Sequence, residues 1–519
     1  MEVVELFFRV VLTIIVQTVK LLFRLLRGLL WLGVTLFRPR SKTFGSARWA
    51  RLVELIWGGV WHGEGLIVGK KWWRFIRFNQ DGYAILFAPT RSGKGVGVVV
   101  PNLLDYKGSI ICTDPKGENS AITGRARTRR GRVLTLNAIH PELSDCLNPL
   151  DMVRTGSYHE ADDAMELAKL LIIPDSSNGG HWDNRAGEFL QALILYVCLK
   201  YAGTPELRNL AKVRSFVSLG AEAIQPIIED AMALGSTTLR ESMKSFQNMA
   251  TSDEAKSIFS NCEKAVNLWG SDRPAGMISM RSDFDFRQFN RETMTCYIIV
   301  DEEKLQIYAG FLRVFMGAAL MAMTRAKSEA APRYPTLFLL DETAALGRLE
   351  PLETGVGYLA TYARLLLVFQ DLDQLRRTYP KSQSMLANAG CKIAFGVNDP
   401  ETARMLADSI GHTTVRGRST GQSGSADDLV YQHSNKGRSE SGRYLRDPAE
   451  IMRESRKKSL IFFNGTVRYP VLAGKVRYYK ERRWKGHWDR WRQIEEEPTP
   501  ATVIPFPALP PADNGERVA

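Results

Sequence analysis

Three short stretches carry residue types that could act on a phosphorylated ligand. In Leu86–Val100, LFAPTRSGKGVGVVV, an apolar run breaks at Ala88, Pro89, Thr90, Arg91, Ser92, Gly93, Lys94, Gly95 and Val96 before apolar residues resume. A loop of this composition between a strand and a helix lets backbone N–H groups converge on an anion at the helix N-terminus. Lys94 would then neutralise the β- and γ-phosphates of a nucleotide. The stretch departs from the pattern GxxxxGK[ST] at both ends, because Ala88 stands for the first glycine and Gly95 for the hydroxyl residue. The second stretch, LFLLDE, sets Asp341 and Glu342 at the end of an apolar run. An acid there can hold magnesium, and an adjacent glutamate can polarise an attacking water. The third, LLLVFQ, ends in Gln370, an amide that can sense a γ-phosphate. Each has a structural alternative: a turn at Ser92–Gly95, a helix cap at Asp341, a backbone-satisfied amide at Gln370. Their joint occurrence in this order favours chemistry.

Such residues need a parallel sheet to bring them to one edge. Tyr83–Phe87, Ser109–Asp114 and Arg132–Asn137 read as buried strands, with a helix expected over GVGVVVPNLLDYK between the first two. This order of strand, loop, helix and strand begins an α/β fold. Strands resume at Thr295–Asp301, Pro335–Glu342, Arg364–Asp371 and Cys391–Asp399, with a long helix expected over Leu305–Ser328. Between about 160 and 270 only helical patterns occur, so the α/β part reads as split by a helical insertion. GLIVGKKWWRFIRFNQ reads as short alternating strands and SLIFFNGTVRYPVLAGKVRYYKERRW as a closing hairpin. The Gly- and Ser-rich Arg416–Arg443 is expected to be a flexible loop, and Glu495–Ala519 a disordered Pro-rich tail.

The chain has 519 residues, a net charge of +13 and 45% hydrophobic residues, which fits two or three cored domains and an acidic partner, either nucleic acid or an anionic membrane surface. Six scattered cysteines without a CxxC pair exclude a disulfide framework or a zinc cluster. Met1–Phe37 is apolar except for Glu2, Glu5, Arg9, Thr13, Gln17, Lys20, Arg24 and Arg27, which fall on one helical stripe. This predicts a membrane-attached helix, either lying in the interface or spanning within an oligomer, with the rest of the chain cytoplasmic. The C-terminal run VRYYKERRWKGHWDRWR could contact phosphates and stack bases, or pack its aromatics on the domain; packing is preferred.

The motifs APTRSGKGVGVVVP, DPKGEN, FLLDE, VFQDLDQL and FGVNDPETARML, in this order, resemble the type IV coupling proteins, the TraG/TraD-like ATPases of conjugation and type IV secretion. The resemblance runs from about Gly45 to Tyr479. It implies an α/β fold: a RecA-like P-loop NTPase domain with an inserted all-α domain and an N-terminal membrane helix in the bacterial inner membrane. The corresponding boundaries are 1–40 for the anchor, 41–159 and 271–490 for the two parts of the nucleotide-binding domain, 160–270 for the insertion and 491–519 for the tail. It further implies ATP and Mg2+ as cofactors and a homo-hexamer with a motor in the cytoplasm. The implied partners are channel components, single- or double-stranded DNA, and a relaxase–DNA complex or effector proteins. Lys94, Asp341, Glu342 and Gln370 take the catalytic roles, Asp341 the metal. Relatives generally carry two membrane spans where this chain has one apolar stretch. They also often supply a basic residue across the subunit interface from the helix before the glutamine strand; Leu359-Ala360-Thr361 offers none, so Arg364 is the substitute candidate. DPKGE, Asp114–Glu118, could contact nucleotide, line a channel, or form a turn with a helix cap. An FtsK- or HerA-like DNA translocase and a non-hydrolysing cargo receptor are the competing readings.

Overall fold

The computed structural model describes residues 42–80, 82–172, 180–234, 236–247, 253–326, 332–423, 433–454 and 456–491, together with Gln17, Thr18 and Arg27. Apart from those three residues the expected membrane helix lies outside the described ones, as does the Pro-rich tail, and no described helix is long and apolar enough to cross a membrane. The chain divides into two compact units, Met1–Trp49 with Ala403–Arg453, and Ala50–Thr402 with Glu454–Ala519.

The larger unit is built on an eleven-stranded sheet. In chain order its strands are β1 (Leu66–Lys71), β2 (Arg74–Phe78), β3 (Tyr83–Phe87), β4 (Ile110–Asp114), β5 (Arg132–Asn137), β6 (Met294–Ile299), β7 (Thr336–Leu340), β8 (Ala363–Phe369) and β9 (Cys391–Ala394). The smaller unit contributes β10 (His412–Ser423) and β11 (His433–Tyr444), and the sheet closes with β12 (Lys458–Phe463) and β13 (Val471–Gly474). Its spatial order is β2-β1-β13-β12-β9-β3-β8-β7-β4-β6-β5. From β9 to β5 all neighbours are parallel, whereas β12, β13, β1 and β2 extend the sheet antiparallel.

The central parallel strands are buried along their length because helices cover both faces. Every residue of β3, β4, β6 and β7 is buried. At roughly 1.5–3 kcal/mol for each fully buried large apolar side chain, these runs supply much of the driving force for the sheet. Their register brings the carboxyl ends level: Phe87 pairs with Phe369, and Thr113 with Leu340.

Between β5 and β6 the described elements are helical, including Glu160–Leu171, Gly180–Lys200, Leu210–Val217, Gln225–Ala233 and Asp253–Val266. This block packs onto the sheet unit through the buried Arg313 of the helix Ala309–Arg325. Its guanidinium donates to the carbonyls of Leu170 and Leu171 at 2.6 and 3.0 Å, satisfying two orphan carbonyls at the end of the helix Glu160–Leu171. The long helix expected over Leu305–Ser328 is shorter, starting at Ala309 after a 3-10 turn.

One expectation is corrected. Within Arg416–Arg443 the described residues are not a loop: β10 and β11 form a two-stranded antiparallel ribbon with continuous register from His412↔Tyr444 to Ser423↔His433. Gly, with no side chain, and Ser, with a small polar one, weaken the strand signal, but backbone pairing does not need large side chains, and Thr413, Thr414 and Val415 supply the β-branched start.

Candidate functional site

The sheet order places β3, β8, β7 and β4 side by side, so the segments leaving their carboxyl ends converge. After β3 the chain turns through Pro89–Gly93, with Arg91 at φ +59° and Gly93 at φ +84°. Left-handed residues alternating with ordinary ones make a concave nest of N–H groups. The helix begins at Lys94 with a π-turn, Gly95–Val99, and becomes α-helical at Val100–Asp105. Pro101 accounts for the wide turn, because it has no N–H to give to the carbonyl four residues back. Buried Asn102 then ties this helix to β1: its amide donates to the carbonyls of Ile67 and Val98 at 2.9 and 2.8 Å and accepts from Ile67 N–H at 2.7 Å.

Lys94 reaches across to β7. Its ammonium donates to the Asp341 carbonyl at 2.7 Å and to Glu342 Oε2 at 3.0 Å, and lies 3.3 Å from Asp341 Oδ1. Burial alone would lower the Lys94 pKa, but the two carboxylates outweigh it and hold the amine above its ordinary value. Glu342 Oε1 accepts from Gln370 at 3.3 Å and from Gln374 at 2.8 Å. Gln374 is itself fixed, since its Oε1 accepts from Gln370 N–H at 2.7 Å. Lys94, Asp341, Glu342 and Gln370 thus meet at one sheet edge. Asp341 caps no helix; the following 3-10 turn has no side-chain cap.

Asp341 is oriented from β4. Its N–H donates to Thr113 Oγ1 at 2.9 Å and its Oδ2 accepts from Asn119 Nδ2 at 3.2 Å. Its Oδ1 is buried without a hydrogen bond, as is Ser92 Oγ of the loop. Buried oxygens that accept no hydrogen bond, next to Lys94 and the nest, fit a hydrated divalent cation and a phosphate chain. Asp114 takes the helix-cap role that DPKGE left open: its carboxylate accepts from the N–H groups of Asn119 and Ser120 at 3.2 and 2.8 Å. Burial pushes its pKa up to about 7, against the lowering effect of those two N–H groups.

Arg364 is not brought to this site. It stands at the opposite end of β8, 3.5 Å from the carbonyls of Phe78 and Asn79. Two residues now at the site lay inside quoted motifs without being singled out: Asn119, the last residue of DPKGEN, and Gln374, one helical turn beyond Gln370. Lys475 gave no signal. It follows β13, donates to the Ser92 carbonyl, and runs its stem against Gly97, where an added Cβ would come within 2.6 Å of the Lys475 side chain. Burial, with Arg477 and Arg456 nearby, lowers its pKa to about 8. In the C-terminal run, Trp484 is buried and stacks on Phe75 at 5.4 Å, so this aromatic packs on the domain.

The profile of the family described as type IV secretory system conjugative DNA transfer matches residues 42–500. Protein VirD4 of Rhizobium rhizogenes is 29% identical over 479 residues, covering 89% of this chain and 69% of its own length. A conjugal transfer protein TraG of Escherichia coli is 27% identical over 419 residues, covering 72% of this chain and 64% of its own. Among solved structures, the plasmid coupling protein TrwB in complex with the non-hydrolysable ATP analogue ADPNP superposes with a TM-score of 0.60. It is 15% identical and covers 85% of this chain and 95% of its own. TrwB in complex with ADP and Mg2+ gives 0.58 at the same identity and the same shares. With a mixed α/β nucleotide-binding fold around a large parallel sheet and a family match spanning most of its length, the chain belongs to the type IV secretion family of conjugative DNA transfer, the coupling proteins.

Proposed function

We propose that this chain is a membrane-anchored ATPase that couples DNA or protein substrates to a type IV secretion or conjugation channel. The observation that carries the reading is the meeting of Lys94, Asp341, Glu342 and Gln370 at one sheet edge beside the nest. Lys94 and the N–H groups of residues 90–96 would bind the phosphates, and Asp341, whose Oδ1 accepts no hydrogen bond and faces only the Lys94 ammonium, would hold Mg2+ through water. The cation would neutralise phosphate charge. Without nucleotide, Glu342 is engaged by Lys94; a γ-phosphate drawing Lys94 away would free Oε2 to take a proton from water. Gln370 and Gln374 hold the other carboxylate oxygen and so fix the direction of the base. Preorganised charge of this kind supplies most of the rate in phosphoryl transfer.

The same reading includes a homo-hexamer, a membrane helix over 1–40, an all-α insertion over 160–270 that meets substrate, and partners among channel components and relaxase–DNA complexes or effectors. The helical block Glu160–Val266 and the apolar Met1–Phe37 support these. Arg364 stands at the other end of β8 from its own chain's nucleotide site, so a catalytic role for it would have to be toward a neighbouring subunit. Family membership does not favour an FtsK- or HerA-like translocase. ATP turnover of the full chain, measured with and without single-stranded DNA, tests the motor against a passive receptor. Turnover abolished by Lys94→Ala is expected; no turnover in the unaltered chain under either condition, with cargo still bound, would overturn it.

A further inference from the structure

At the edge of the sheet, β1 and β2 are joined by a two-residue loop, Trp72-Trp73, between the paired Lys71 and Arg74. Trp72 has φ +55°, at the loop position that ordinarily takes glycine in tight hairpins. Both indoles are largely exposed, at 61% and 76%. A bulky residue in a left-handed conformation with its ring in water is doubly unfavourable for the isolated domain, and such local cost concentrates at functional surfaces.

The tip borders a cavity of about 660 Å³. Trp73 and Arg74 form one wall, and Asp105, Tyr106, Lys107 and Tyr334, just ahead of β4 and β7, form another. Its walls carry five cationic side chains against two carboxylates. Glu64 is paired to Lys107, and Asp105 is shared by Arg77 at 2.6 Å and Arg483 at 3.5 Å, so the five cations outnumber the two carboxylates by three and give the cavity a cationic surplus. Exposed tryptophan beside surplus arginine matches a headgroup layer, where indoles settle at the interface and cations meet anionic lipid. The chain path agrees. Lys71 Nζ lies 3.5 Å from the carbonyl of Ala50, which follows the apolar stretch Met1–Phe37 by 13 residues.

We propose that the Trp72-Trp73 hairpin and the cationic cavity behind it form a second membrane contact, docking the motor on the headgroups of an anionic bilayer. This rests on the membrane attachment proposed above. Single-stranded nucleic acid is the competing occupant, but stacking on bases needs free ring faces. Trp72 and Trp73 stack on each other at 5.7 Å, and Trp61 meets Trp72 edge-on at 6.1 Å, so each of the two indoles already has one face against the other.

The test uses the full chain with vesicles of phosphatidylglycerol and phosphatidylcholine carrying brominated acyl chains, which quench interfacial indoles. Trp72→Gly/Trp73→Ser removes both rings and relieves the left-handed strain, so it should melt no lower than the unaltered chain. Both proteins are expected to float with the vesicles, with tryptophan quenching about twofold weaker in the variant, as two of the few interfacial indoles are gone. The difference should vanish on phosphatidylcholine alone. Flotation with equal quenching would overturn this inference and leave anchorage standing; failure of the unaltered chain to float would overturn both. A fluorescence change lost in the variant but elicited by a 30-residue oligo-dT instead of vesicles would assign the hairpin to nucleic acid and also overturn it.

Discussion

Glu342→Gln should separate nucleotide binding from turnover in opposite directions. In the structure Lys94 donates to Glu342 Oε2 at 3.0 Å, with both side chains mostly shielded at 21% and 14% exposure. Nucleotide must take Lys94 from this partner. A glutamine cannot replace it fully. Gln374 Oε1 is pinned by Gln370 N–H, so the Gln374 amide nitrogen must face position 342. The substituted amide can then offer its oxygen to Lys94 or to Gln374, not to both. A charge-assisted hydrogen bond contributes about 1.5–3 kcal/mol net. Since 1.4 kcal/mol is a factor of ten, loss of most of that competition should tighten ATP binding by about tenfold. Removing the general base should meanwhile lower turnover by roughly 10²–10⁴. Titration with a fluorescent ATP analogue and a phosphate-release assay on the same preparation read the two effects. Weaker binding with turnover preserved would refute the reasoning, because Glu342 would then be neither Lys94's competitor nor the base.

Gly95→Thr restores the hydroxyl missing from the loop, and an added Cβ at Gly95 meets nothing within 4 Å, so the Mg2+ concentration for half-maximal nucleotide binding should fall severalfold. Lys475→Met keeps the stem against Gly97 but loses the bond to the Ser92 carbonyl; at about 1 kcal/mol, ATP binding should weaken roughly fivefold. That deficit should shrink above about pH 8, where Lys475 has lost its charge. Asp114 has a folded pKa of about 7 against an ordinary 3.8, so the stability it contributes is complete below about pH 4 and lost as pH rises through 7. Melting of Asp114→Asn without nucleotide or metal should therefore gain on the unaltered chain between pH 5 and pH 8; a constant gap would contradict the buried carboxyl.

The parallel sheet was legible because most of its strands, such as β3, β7 and β8, are apolar runs followed by polar residues, and β5 alternates in the strand period. β5 begins and ends where its pattern does, and Asp341 and Gln370 declare themselves by interrupting such runs. What could not be read depends on through-space contact. Asn119 and Asp341 are 222 residues apart in the chain, and only the adjacency of β4 and β7 makes them partners. Lys475 is one cation in a basic segment, with nothing local to distinguish it from Lys480 or Lys485. The β10–β11 ribbon was hidden for a different reason: its stability lies in backbone pairing, which composition does not report.

The Asn102 amide has a mechanical meaning. It bonds at once to both peptide groups of Ile67 on β1 and to Val98 in the first turn after the phosphate loop. Three bonds from one buried side chain tie the edge hairpin to the loop helix, so a displacement of β1 would reach the helix that follows Lys94 through one asparagine.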